Sequence, residues 1–160
     1  MNIIVVKNDG SWYTRPDSTL EREPKDFYIP DGMMSATAAS FRYIRIIKAG
    51  KAIQPKFAGR YYDSFGSGVI LYGKGTDGAL HPYIDGSTII LPADESADVL
   101  DEDAAGLIAA ALQNVTASMS VRIGDIVLFE DEEMTDFNCG ESLKLYSDDD
   151  SEPILDFNIC

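Results

Sequence analysis

Few residues in this 160-residue chain combine the types and spacings that chemistry demands. The densest carboxylate run, Glu130-Asp131-Glu132-Glu133 with Asp136 close behind, supplies oxygen ligands of the kind a hard dication takes. Consecutive acids point in different directions, so a solvated acidic loop is the competing reading. Asp148-Asp149-Asp150 lacks the Gly and the terminal Glu of an EF-hand loop and reads as a hairpin tip that discourages edge pairing. His81 is the only histidine, with no acid and nucleophile at the spacing of a triad or dyad, and reads as non-catalytic. Lys74 stands just past an apolar run, where it either binds a carboxylate ligand or is simply exposed. Lys74, Arg60, Tyr62 and His81, with the acidic loop, are the acid–base groups available to an active site. Cys139 and Cys160 lie far apart without C-x-x-C spacing, so the thiols are expected to be reduced and incidental, with neither a zinc site nor a disulfide.

The elements that must position these groups are legible in places. Ile3–Val6 reads as a strand closed by an Asn8-Asp9-Gly10 turn, and the polar stretch 14–24, with Pro16 and Pro24, reads as a surface loop. Asp26–Gly32 reads as a short apolar strand ending at Pro30, and 33–39 is small and weakly patterned. Residues 42–48, rich in β-branched and aromatic side chains, predict a strand that ends at Gly50. Pro55 suits a first helical position, and Ile53, Phe57 and Tyr61 recur at i, i+4, i+8, which predicts a short helix with one apolar face. Val69–Tyr72 predicts a strand buried on both faces, and 75–78 a turn. Leu100, Ala104, Leu107, Ile108, Ala111, Leu112 and Val115 predict an amphipathic helix, with Asp98, Asp101, Glu102 and Asp103 near its positive end.

Length and composition bound the answer. At 160 residues one domain, 1–160, is expected, and 45% hydrophobic with 25% charged residues is ordinary for a soluble globular protein. No apolar run reaches the ~18–20 residues that span a bilayer, and the N-terminal segment lacks the pattern of a signal peptide, so cytoplasmic residence is the default expectation. The charge is uneven: residues 1–83 hold 11 Lys/Arg and 8 Asp/Glu, whereas 84–160 hold Arg122 and Lys144 against 19 acids. A net charge of −14 disfavours nucleic acid and anionic membranes as partners and admits a basic protein partner.

The stretch 43–75, YIRIIKAGKAIQPKFAGRYYDSFGSGVILYGKG, resembles the fumarylacetoacetate hydrolase family, which has a strand ending in a basic-Gly-Lys turn, a helix with paired aromatics before an acid, and a Gly-x-Gly-x-Asp strand. Arg122-Ile123-Gly124-Asp125, which resembles the family's basic-x-Gly-Asp motif and implies a strand over 121–128, and the segments 140–146 and 153–159, which resemble its closing hairpin, extend the likeness over most of the chain. It implies an α+β, mixed β-rich sandwich or roll of that family's C-terminal domain type with two short helices, and a homodimer or a pairing with a related subunit. In the family a Glu-x-Glu pair and the Asp of the Gly-x-Gly-x-Asp strand bind Mg²⁺ or Mn²⁺. The resemblance places those three ligands on Ala39, Phe41 and Ile70.

Other positions depart as well. The family's N-terminal His is missing after Asn8, its late lysine falls on Pro82, and its Thr-Gly-Thr-Pro loop is met by Glu130-Asp131-Glu132. Scaffold positions are kept and chemical ones replaced. The expectation is a non-catalytic relative acting as a binding or partner subunit, with no cofactor or metal. Lys74, Phe41 and Ile70 are its candidate ligand-binding residues, the last two either lining a vestigial pocket or filling it. The alternatives are a hydrolase, decarboxylase or isomerase of an acylpyruvate-like substrate with a rebuilt site, and an acidic protein-interaction module.

Overall fold

The computed structural model describes residues 1–23, 25–92, 102–146 and 153–160. In chain order the strands are β1 (Ile3–Val6), β2 (Trp12–Arg15), β3 (Leu20–Glu21), β4 (Met33–Ile46), β5 (Tyr62–Gly75), β6 (Leu80–His81) and β7 (Thr88–Ile90). Helix α1 (Glu102–Thr116) follows, then β8 (Ile126–Phe137), β9 (Ser142–Tyr146) and β10 (Pro153–Asn158). Eight strands form one sheet in the order β2-β1-β8-β4-β5-β7-β3, with β6 on β5, and β9 and β10 form an antiparallel hairpin. The protein is α+β and β-rich, as expected from the sequence.

The chain divides into two compact units, residues 1–17, 41–67 and 92–130, and residues 18–40, 68–91 and 131–160. In the first, β1 pairs antiparallel with β2 and parallel with β8, Ile4 opposite Val127. Ile4, Ile44, Ile46 and Val127 from the strands pack with Ile108, Leu112 and Val115 of α1. Helix α1 follows the predicted periodicity, with Glu102 and Asp103 in its first turn and Ile108, Ala111, Leu112 and Val115 buried. Leu107, expected on that apolar face, is 69% exposed. The predicted positions 93–101, including Asp98, Leu100 and Asp101, lie outside the described residues, as do the Asp148–Asp150 tip and Pro24.

In the second unit β5 pairs antiparallel with β7, Val69 opposite Ile89, and β7 pairs parallel with β3. Ala36, Ala38, Val69, Leu71 and Ile89 pack with Leu143, Leu155, Phe157 and Ile159 of the closing hairpin. Phe27, expected in a short strand, instead makes a single parallel bridge to Ile159 and is buried in the same core.

Other boundaries differ for identifiable reasons. The polar stretch 14–24 begins with the end of β2, and Arg15 and Thr19 are buried rather than loop-exposed. Strand β4 starts at Met33, not near Tyr43, because Ser35, Ala36, Thr37, Ala38 and Ala39 are all buried and therefore show no apolar–polar alternation. The predicted helix is a 3₁₀-helix, Pro55–Arg60, with Pro55 in its first turn. Three residues per turn break the i, i+4, i+8 face, so Ile53 and Ala58 are buried while Phe57 is 38% exposed. The predicted strand 121–128 begins only at Ile126, and the acidic loop expected after it is the continuation of β8.

Two local devices fix these elements. Gly66 lies against the Tyr43 ring so closely that a Cβ there would collide with it. Before β8, Gly124 at φ 93° makes a turn in which the buried Asp125 carboxylate accepts the Asn2 N–H at 2.9 Å and the Arg122 N–H at 2.9 Å. The Asp125 carboxylate thus joins the chain start to the turn entering β8. Replacing Asp125 with Ala strands two N–H donors and is expected to lower unfolding free energy by about 2–3 kcal/mol in urea melts. Ala52 is the one non-glycine at positive φ, 52°, among the described residues, and Ala52→Gly is expected to raise stability by about 0.5–1 kcal/mol in the same measurement.

Candidate functional site

In the second unit, Ala36 and Ala38 of β4 and Val69 and Leu71 of β5 enter the apolar core. The two-residue period of a strand turns Ile70, Tyr72 and Lys74 to the other side of β5, and places Thr37 and Ala39 between and beyond the core alanines of β4. Ala39 is 3% exposed and Ile70 fully buried. In the first unit, Phe41 is 2% exposed and tilted against Tyr43, ring centroids 6.3 Å apart. Buried methyl, methylene and ring carbons offer no lone pair to a hard dication, so the residues present do not fit Mg²⁺ or Mn²⁺. Among the described residues no group of three His, Cys, Asp or Glu side chains converges in a way that could hold a metal.

What the second unit does assemble is a carboxylate–ammonium cluster. The strand order places β4 between β8 and β5, so side chains from all three meet. Asp136 of β8 accepts the Thr37 hydroxyl on Oδ1 at 2.6 Å and the Lys74 ammonium on Oδ2 at 2.8 Å. Thr37 is 3% exposed, and the Lys74 and Asp136 side chains are 29% and 52% exposed. The Lys74 hydrogen bond first, and the Thr37 hydroxyl second, hold the Asp136 carboxyl below its usual value, against a smaller opposing effect of burial. Lys74 does bind a carboxylate, but it is one the chain itself supplies. The sequence reading placed Asp136 in an acidic loop and missed this partnership, because only strand order brings residues 74 and 136 together.

The remaining candidates do not form an acid–base constellation. His81 stands opposite Gly73 in the β5–β6 ladder and Leu80 opposite Lys74, so Lys74 and His81, one register step apart, point to opposite faces. The Tyr62 ring packs edge-on against Phe65, 5.9 Å between centroids, and burial raises its phenol pKa. Arg60 stacks on Phe57, 4.8 Å from the ring centroid. Glu130 is buried at 5% exposure in the first unit, whereas Asp131, Glu132 and Glu133 are exposed in the second. Cys139 and Cys160 are free thiols. An open depression of about 560 Å³ in the first unit is lined by Asn2, Arg122 and Asp125 among others, and the Asp125 carboxylate there is already committed to backbone N–H groups.

The whole arrangement of strands has known counterparts. A protein assigned to the fumarylacetoacetate hydrolase family from Yersinia pestis CO92 superposes with a TM-score of 0.75 at 14% identity, covering 99% of this chain and 92% of that one. The fold is that of the fumarylacetoacetate hydrolase family. Maleylpyruvate hydrolase from Sphingobium sp. SYK-6 is similar at a TM-score of 0.75 and 16% identity, over 99% of this chain and 70% of that one. Fumarylpyruvate hydrolase from Pseudomonas aeruginosa, solved in complex with Mn²⁺ and pyruvate, is similar at 0.76 and 13%, over 99% and 89%. No protein-family model and no curated protein matches the sequence. Among the described residues no helix is long and apolar enough to cross a membrane.

Within this fumarylacetoacetate hydrolase fold, the depressed Asp136 pKa has a defined pH signature. The folded value lies below the ordinary 3.8, so the contribution to stability is fully present above that value and is lost as pH falls through the folded pKa. The stability gap between wild type and Lys74→Met is therefore expected to be constant from neutral pH down to about pH 5 and to close below it. Carboxyl chemical shifts of Asp136 in the Lys74→Met protein, followed by NMR, are expected to titrate closer to 3.8 than in the wild type.

Proposed function

We propose that this chain is a fumarylacetoacetate hydrolase-fold protein that has lost the family's metal-dependent chemistry and serves as a binding or partner subunit. One observation carries the reading. The three positions that the resemblance assigns to metal ligands hold Ala39, Phe41 and Ile70, and all three side chains are packed at 3% exposure or less. A neighbouring carboxylate can rescue a single lost ligand, but three buried carbon side chains remove the charge and the space together. The fumarylpyruvate hydrolase of the same fold was solved with Mn²⁺ and pyruvate, the arrangement that this sequence no longer supports.

The Lys74–Asp136–Thr37 cluster fits this reading better than a rebuilt acid–base site. A general base works best with a pKa near the operating pH, and the Lys74 and Thr37 hydrogen bonds hold the Asp136 carboxyl below its ordinary value. His81 points away from Lys74, and Tyr62 is a packing residue whose burial raises its pKa, away from the neutral range a general base needs.

Calorimetric titration with Mg²⁺ and Mn²⁺, each with and without oxalate as a mimic of an enolate-like intermediate, is expected to give no saturable heat. Metal-dependent oxalate binding, or turnover of an acylpyruvate that EDTA abolishes, would return the chain to the enzymes of this fold.

A further inference from the structure

The chain carries 27 acids and 13 Lys/Arg, yet six cations, Arg42, Arg45, Lys48, Lys51, Lys56 and Arg60, fall in 19 consecutive residues that contain no acid. All six are exposed. In so acidic a chain, exposed cations would be expected to find carboxylates, and only Arg45 does, 3.3 Å from Asp63. Among the described residues, no carboxylate lies within ion-pair distance of the other five.

Three of the five make contact with rings instead. The Ile47 N–H donates to the Tyr61 carbonyl at 2.9 Å, which sets Lys48 beside Tyr61, its ammonium 5.3 Å from the ring centroid. The tight turn of the 3₁₀-helix brings Lys56 and Arg60 over the same Phe57 ring, 4.9 Å and 4.8 Å from its centroid. Such stacking steadies long side chains and leaves their hydrogen-bond donors unspent, which reduces the ordering cost of gripping an anion.

We propose that the surface of the first unit that carries Lys48, Lys56 and Arg60 is a docking surface for an acidic segment of another protein. The rings distinguish this partner from nucleic acid. A single strand is held by bases stacked on open aromatic faces, and here cations already lie over Phe57 and Tyr61. A phosphate backbone would also run past the patch onto a remainder holding seven Lys/Arg against all 27 acids. A short acidic segment meets only the local charge, because at physiological ionic strength the rest is screened beyond about 8 Å. The proposal does not depend on whether the chain has lost its metal chemistry.

The test is fluorescence anisotropy of a labelled octa-glutamate peptide with the full chain. Saturable binding at physiological ionic strength is expected, weakened about tenfold or more in Lys48→Glu/Lys56→Glu/Arg60→Glu and in about 0.5 M salt, and unchanged by Lys25→Glu. The milder Lys48→Gln/Lys56→Gln protein, with circular dichroism matching wild type, is expected to weaken binding in the same direction. Equal affinity in these variants would overturn the proposal. Tighter binding of an eight-nucleotide oligothymidine than of the peptide would overturn it too, as would salt-sensitive self-association with no peptide binding.

Discussion

The two-residue period of β4 is the constraint on which the rest of the structure depends. Every second side chain between Ala36 and Ile46 that enters a core, Ala36 and Ala38 in one unit and Ile44 and Ile46 in the other, fixes its neighbours on the opposite face. Thr37, Ala39, Phe41 and Tyr43 have no choice of direction once those four are buried. A one-residue slip would carry Arg42 and Arg45 into buried places, so the register is held by packing and by charge solvation together. The positions on which the resemblance places metal ligands, Ala39, Phe41 and Ile70, therefore carry buried carbon side chains.

That inheritance separates scaffold from chemistry in physical terms. A scaffold position answers to constraints that act whatever the protein does: Gly66 must admit the Tyr43 ring, Gly124 must turn at positive φ, and Asp125 must take the N–H groups of Asn2 and Arg122. A ligand position answers only to its ion. Ala39, Phe41 and Ile70, where the resemblance places ligands, answer to packing, and all three are buried. The cluster of Lys74 with Asp136 and Thr37 in the second unit neutralises itself, which is how a half-buried cation is kept without a ligand.

Charge is handled differently in the two units. The acids Asp131, Glu132 and Glu133 sit on the exposed length of β8, where water solvates them and where charge also deters pairing with a foreign strand. In the first unit Lys48, Lys56 and Arg60 are steadied by aromatic rings, and Arg45 by the carboxylate of Asp63. A protein whose net charge would suggest only a basic partner thus presents a distinct surface of the opposite sign, a feature that net charge conceals.

The sequence by itself determined the fold class, the amphipathic helix through Val115 and the closing hairpin, because each rests on residue type at a position or on strong periodicity. It also marked Lys74 as a cation at a strand end. It could not show that β4 begins at Met33, since five consecutive buried small residues carry no alternation, nor that the segment Pro55–Arg60 is 3₁₀, since one turn of either helix has too few residues to distinguish the period. The acidic run in β8 read as a loop because strand propensity is weak for Asp and Glu, and pairing within the sheet overrides it. Only the tertiary structure decided that Lys74 meets Asp136 and that Lys56 and Arg60 share one ring. The first follows from the order of strands in a sheet and the second from the pitch of a single helical turn, and neither is written in local sequence.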